Sequence, residues 1–126
     1  MIVLDTHALL WWVTDPSRLG MKARSAIAEA TQLGVPSIVF WEVAMLARKA
    51  RVELGMAAWD WTKTVLAIPR CQAIPLTPEI AVCAESLSMH PDPADRFIVA
   101  STLVHDAQLV TKDGLISQIS GLKVIW

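Results

Sequence analysis

The chain has little cysteine and no cysteine pair at metal-binding spacing. Only Cys71 and Cys83 occur in 126 residues, and there is no Cys-x-x-Cys. Nothing in this pattern suggests a disulfide framework or a structural zinc site. Both thiols are expected to be small, buried, apolar residues in a reducing compartment.

The chain also lacks an excess of charge of either sign. Eleven Lys and Arg face twelve Asp and Glu, giving a net charge of −1. This excludes a polycation that binds nucleic acid by bulk charge, but it leaves room for a local basic rim around an acidic site.

Long hydrophobic runs are missing as well. No stretch approaches the ~18 uninterrupted apolar residues of a membrane span. The first residues lack the basic region and long apolar region of a signal peptide. The expected location is therefore the cytoplasm.

Apolar residues are nevertheless abundant, at 54% with a mean hydropathy of +0.45. The length fits one domain, residues 1–126. The surplus of apolar residues leaves surface for a partner. Six tryptophans are present, and the closely spaced Trp11-Trp12 and Trp59/Trp61 cannot all face one core. Some of them are expected at an interface.

Short apolar runs alternate with segments of helical periodicity, which predicts an α/β fold with a central, mostly parallel, twisted sheet and helices on both faces. The predicted strands are residues 2–4, 35–38, 73–76, 108–111 and 123–126. The predicted helices are residues 6–13, 21–33 (with Gly34 following as the terminating residue), 40–51, 57–67, 78–89, 94–106 and a short one near 115–119.

Four acids stand where these runs end or where helices begin: Asp5, Glu42, Asp95 and Asp113. Ligands of open α/β sheets bind beyond the carboxyl ends of the strands, so all four can point at one edge. Gathered carboxylates repel one another, and a bound divalent cation relieves the repulsion. The pattern therefore predicts a metal-dependent hydrolase.

Helix capping is the competing interpretation of the three aspartates. Asp5 and Asp113 precede helical segments, and Asp92-Pro93-Ala94-Asp95 resembles a capping box. Glu42 is different because its neighbours are almost all apolar, which makes an unliganded acid costly. Lys49, two helical turns after Glu42, lies with Arg48 and Arg51 at a basic edge, although a solvated helix end explains it equally well. The histidines share no spacing and are interpreted as structural or surface residues.

Four motifs in order resemble one family. Residues 2–11 (IVLDTHALLW) resemble the opening of PIN-domain ribonucleases, in particular the VapC-like toxins of type II toxin–antitoxin modules. Residues 41–44 (WEVA) with 49–54, 92–100 (DPADRFIVA) and 109–113 (LVTKD) resemble their second, third and fourth motifs. Two departures, Val39 in place of a serine and Ala94 in place of an aromatic residue, leave the acids untouched.

The resemblance implies a PIN fold, a Mg²⁺- or Mn²⁺-dependent endoribonuclease, a homodimer and an antitoxin partner. Asp5, Glu42, Asp95 and Asp113 match the acidic quartet and are the expected catalytic and metal-binding residues. Thr6 and Thr111 match small polar residues beside the quartet, and Lys49 and Arg96 are candidate phosphate contacts. Metal held by such carboxylates activates water and neutralises the anionic transition state.

Three other functions compete with this one, and particular residues count against each. A phosphatase with an aspartyl nucleophile at Asp5 usually carries a second Asp two residues later, where this chain has His7. A phospho-receiver-like signalling module usually pairs acids at the end of the first strand, and no acid stands beside Asp5. A silent binding domain would lack a quartet acid, and none is missing.

Overall fold

A computed structural model describes residues 1–126 and contains one fully parallel five-stranded sheet. The strands have the spatial order β3-β2-β1-β4-β5, so β1 is central. They are β1 (Ile2–Leu4), β2 (Leu33–Pro36), β3 (Cys71–Ile74), β4 (Gln108–Val110) and β5 (Lys123–Ile125).

Six α-helices connect these strands: α1 (Thr6–Thr14), α2 (Met21–Glu29), α3 (Ser37–Arg48), α4 (Ala58–Leu66), α5 (Pro78–Ser86) and α6 (Pro93–Val104). Short 3₁₀ turns cover Pro16–Arg18 and Ile116–Gln118. The chain adds β2 and β3 on one side of β1, then crosses to add β4 and β5 on the other. Parallel strands that are added in two directions need crossovers that place helices on opposite faces of the sheet, as predicted. The direction in which strands are added to the sheet reverses between β1 and β4.

One helix boundary was predicted wrongly. The helix expected over residues 21–33 ends at Glu29, and Leu33 and Gly34 belong to β2 instead. Gly34 pairs with Val3 of β1 and with Gln72 of β3, and a Cβ there would lie 2.7 Å from the Cδ1 of Ile74. Gly34 is thus a close-approach glycine in a strand. The other predicted boundaries differ by at most three residues.

The core is a single cluster of 26 buried hydrophobic residues centred on β1. Trp61 belongs to this cluster at 3% exposure, whereas Trp59 on the same helix α4 is 67% exposed. The interface expectation therefore fails for Trp61 and remains open for Trp59. None of the helices has both the length and the apolar character needed to span a membrane.

Candidate active site

A cleft of about 550 Å³ opens at the carboxyl ends of β1 and β4, at the point where the chain reverses direction in the sheet. Its wall brings together all four acids singled out from the sequence. The lining residues are Asp5, Thr6, His7, Trp11, Glu42, Asp95, Lys112, Asp113 and Ile116.

Asp5 follows β1 directly and both caps α1 and faces the cleft. Its carboxylate accepts a hydrogen bond of 2.9 Å from the Ala8 N–H, while its own N–H donates to the Val110 carbonyl at 3.3 Å. Burial raises the pKa of the Asp5 carboxyl, and the Thr111 and Ala8 donors oppose that rise. Capping and a role in the cleft are therefore compatible at this position, because a carboxylate has lone pairs for both.

Glu42 reaches the cleft from the second turn of α3. Val39 and Val43 on this helix are buried in the core, and Glu42 itself is half-buried. The hydroxyl of the buried Thr6 donates to its Oε1. This bond joins the first turn of α1 to α3 and fixes the orientation of the carboxylate. Thr6 therefore lies where its sequence position suggested, beside an acid.

Asp95 lies in the first turn of α6. Asp92 caps this helix by accepting from the Asp95 N–H at 3.1 Å. Burial, followed by the charges of Asp92 and Glu42, raises the pKa of Asp95 to about 7. Ionisation of the Asp95 carboxyl is thus disfavoured by burial and by the nearby negative charges.

Asp113 follows β4 and stabilises the loop that contains it through local hydrogen bonds. Its Oδ1 accepts from the Leu115 N–H at 2.8 Å, and its N–H donates to the Thr111 hydroxyl at 3.1 Å. Thr111 is buried, so it anchors the turn that carries Asp113. The second threonine expected beside the acids is thus in place.

His90 was missed by the sequence analysis, which interpreted it as structural or surface. Its Nε2 lies 3.4 Å from Asp95 Oδ2. Potential ligand atoms of His90, Asp95 and Asp113 all lie within 4.8 Å of one another. The only available signal was the turn His90-Pro91-Asp92-Pro93, which leads directly into the helix that carries Asp95.

Four residues that line the cleft were not predicted as site residues: His7, Trp11, Lys112 and Ile116. Lys112 had a usable signal, because it stands between Thr111 and Asp113 just beyond β4. It is the only Lys or Arg in the wall of the acidic cleft. An ammonium at this position partly offsets the negative charge of the acids.

The expected phosphate contacts Lys49 and Arg96 do not line the cleft. Lys49 is the exposed C-cap residue after α3, and seven residues of helical rise place it about 10 Å along the axis from Glu42. Arg96 is corrected for a different reason: its guanidinium donates to four backbone carbonyls at 2.8–3.1 Å, those of Ala84, Leu87, Met89 and His90. Arg96 thus holds the end of α5 against α6.

The donor set fits a hard divalent cation. The acids supply carboxylate oxygens from four different elements of the fold, which Mg²⁺ and Mn²⁺ prefer. Without a cation, burial raises the pKa of Asp5 and Asp95, and the charges of neighbouring acids add to the rise. A bound cation would reverse this penalty by favouring the charged carboxylates.

The fold and the acidic cleft define a PIN domain: residues 2–122 match the PIN domain family, and the chain belongs to it. Among individual proteins, the chain is 38% identical to Ribonuclease VapC22 of Mycobacterium tuberculosis over 114 residues. That alignment covers 89% of this chain and 86% of the relative.

Two solved structures show the same fold at low sequence identity. VapBC2 from Rickettsia felis, bound to a DNA fragment from its promoter, matches with a TM-score of 0.74 and 16% identity, over 100% of this chain and 99% of that one. A toxin–antitoxin complex from Klebsiella pneumoniae matches with a TM-score of 0.70 and 21% identity, over 100% and 97% of the two chains.

Proposed function

We propose that this chain is a Mg²⁺- or Mn²⁺-dependent endoribonuclease that acts as the toxin of a type II toxin–antitoxin module. The observation that carries the proposal is the convergence of Asp5, Glu42, Asp95 and Asp113 in one cleft. Membership of the PIN family and the 38% identity to a protein named as a ribonuclease support it.

Asp5, Asp95, Asp113 and Glu42 would hold the cation, with His90 at its edge. When bound, the cation supplies Lewis-acid polarisation of the phosphate and lowers the pKa of water. The chain's own contribution is positioning: Thr6 orients Glu42, Thr111 anchors the Asp113 turn, and the cap of α1 fixes Asp5. Lys112, in place of Lys49 or Arg96, is the phosphate contact at this cleft.

The partners follow from family and surface. We expect a small antitoxin, because the solved structures that share the fold include a toxin–antitoxin complex. We also expect a homodimer, which the resemblance to VapC-like toxins implies. Trp41 and Trp59 are 58% and 67% exposed, which provides apolar surface for such contacts. The single core cluster supports one PIN domain over residues 1–126.

The phosphatase and receiver-like alternatives gain nothing from the geometry. The phosphatase needs a second Asp two residues after Asp5, and the receiver-like module needs an acid pair at the end of the first strand. Here the acids come singly from β1, α3, α6 and the end of β4.

The test is RNA cleavage with Mg²⁺ or Mn²⁺ and with EDTA, on the parent chain and on Asp5→Asn, Asp95→Asn and Asp113→Asn. We expect cleavage only with metal, and a loss of at least about 100-fold in each variant because each removes a charge that holds the cation. Asp106→Asn is the matched control, since Asp106 is exposed, pairs with Lys123 and lies outside the cleft. Equal cleavage in EDTA would exclude the metal mechanism.

A further inference from the structure

A second groove continues from the acidic cleft along α1. Its volume is about 460 Å³, and His7 and Trp11 line both spaces, so the two are contiguous. One wall is the face of α1 and the turn that follows it, and the other is the end of α3 and the segment beyond. The lining residues are His7, Leu10, Trp11, Thr14, Arg18, Leu46, Arg51 and Val52.

The charge of this groove is opposite to that of the cleft it joins. Arg18 and Arg51 line it, and no carboxylate does. Both arginines are exposed, and neither takes part in any of the three ion pairs of the structure. On a molecule with a net charge of −1, two unpaired guanidinium groups beside an acidic centre form a localised site for an anion.

Trp11 fixes the cations at the junction of the two spaces. The Arg18 guanidinium carbon lies 4.5 Å from the centre of the Trp11 ring, and the Lys112 ammonium lies 5.7 Å from it. Trp126 packs edge-on against the same ring at 5.6 Å, which restrains the indole. Cation–π contacts of this kind restrict otherwise flexible side chains, so Arg18 and Lys112 are held beside the ring before any ligand binds.

We propose that this groove binds the backbone of a single-stranded RNA segment next to the scissile phosphate, with Arg18 and Arg51 contacting consecutive phosphates and Lys112 contacting the phosphate at the cleft. This rests on the proposed ribonuclease function and adds the path of the substrate. Leu10, Leu46 and Val52 give the groove apolar walls for sugars and bases. His7 and Trp11 add ring side chains to it. A basic groove with aromatic side chains on which bases stack is the arrangement that binds single strands without reading their sequence.

An acidic segment of a protein partner could meet the same cations, and the test separates the two ligands. The test measures the affinity of an oligoribonucleotide in EDTA, where cleavage is absent, as a function of salt. It uses the chain with Arg18→Ala, Arg51→Ala, both together, and Arg18→Lys. Arg24→Ala is the matched control, because Arg24 is an exposed arginine of α2 that lines neither space. Thermal melts verify that each variant is folded.

Each single alanine variant is expected to weaken RNA binding by roughly 3–10-fold and to reduce the slope of log affinity against log salt by about 0.7, the value for one lost contact to a single strand. Arg18→Lys should keep the slope, and Arg24→Ala should change neither quantity. With Mg²⁺ or Mn²⁺, the double variant should raise KM and leave kcat within about twofold of the parent, since saturating substrate restores occupancy.

An unchanged affinity and salt slope in the folded double variant would overturn the proposal. So would a double variant that binds RNA normally but has lost binding of a protein partner, since the groove would then belong to that partner. Failure of the proposed function gives a different pattern: the parent would not cleave RNA with any divalent metal, whereas the binding assay in EDTA would still decide the ligand of the groove.

Discussion

At the scale of single residues, Asp95 shows that ionising a carboxyl of the site is unfavourable in the folded protein without a cation. Its pKa is raised to about 7 by burial and by the neighbouring acids, whereas an unfolded chain leaves an aspartate near 3.9. The folded state therefore binds the proton more tightly than the unfolded state does. This contribution favours folding at low pH and is lost as the pH rises from about 4 to about 7.

We predict that Asp95→Asn stabilises the metal-free protein at pH 8 by on the order of 2 kcal/mol, or roughly 5–10 °C in Tm, because the variant carries no charge to bury. At pH 5 the gain should be clearly smaller, since the parent carboxyl is already protonated there. Thermal melts in EDTA at the two pH values measure the difference, with Asp106→Asn as the control. A stability difference independent of pH would contradict this account of Asp95.

Adding Mg²⁺ at pH 8 should reduce the difference in Tm between Asp95→Asn and the parent. The cation binds the folded parent through carboxylates, one of which the variant lacks. Parallel melts over a metal titration check this.

At the scale of elements, Arg96 joins α5 to α6. Its guanidinium donates to the Ala84 and Leu87 carbonyls at the end of α5 and to the Met89 and His90 carbonyls of the connecting segment. The same segment carries His90 towards Asp95. These four hydrogen bonds of Arg96, which we call the Arg96 clamp, thus set the position of one edge of the cleft.

We predict that Arg96→Ala lowers the free energy of unfolding by about 2–4 kcal/mol, because four carbonyl groups lose a charged donor. Arg96→Lys should recover only part of this loss, since an ammonium cannot reach four acceptors in a planar fan. Urea denaturation measures both variants, beside Arg24→Ala. If Arg96→Ala were as stable as the parent, water would be satisfying these carbonyls and the clamp would have no energetic role.

The positions of the acids could be predicted because each depends on a short local pattern. Asp5 and Asp113 directly follow apolar runs, and the end of a parallel strand is where such a fold places its ligands. The boundary at Leu33 and Gly34 could not be predicted in this way. Leu33 continues the apolar spacing of the preceding helix, and only pairing with β1 and β3 decides that it is a strand residue.

The contacts made by long side chains were even harder to predict, because they depend on tertiary structure. Arg96 was expected to contact phosphate. Its guanidinium instead donates to backbone carbonyls that the turn after α5 brings within reach. Trp59 and Trp61 likewise differ only in which side of α4 meets the sheet. No local pattern separates such cases.

At the scale of the whole molecule, this difference gives a test of the partner surface. We predict that Trp59→Glu leaves folding and RNA cleavage close to those of the parent but weakens antitoxin binding, because Trp59 is 67% exposed. Trp61→Glu should instead prevent stable folding, since it places a charge in the core. Titration calorimetry, an RNA cleavage assay and thermal melts distinguish the two. If Trp59→Glu bound the antitoxin as tightly as the parent, the interface would lie elsewhere, with Trp41 the next exposed tryptophan to substitute.

During synthesis, the position of β1 in the sheet delays the moment at which the cleft can form. The ribosome releases β1, β2 and β3 in turn, and these can pair with one another, but the other edge of β1 is free until β4 is made. Asp5 and Asp113 therefore meet only after β4 and the residues up to 113 have been translated. A truncated or still growing chain lacks the fourth acid and Lys112. A chain that stops short of β4 has no complete acidic cleft, so the nuclease site forms only once β4 has paired with β1.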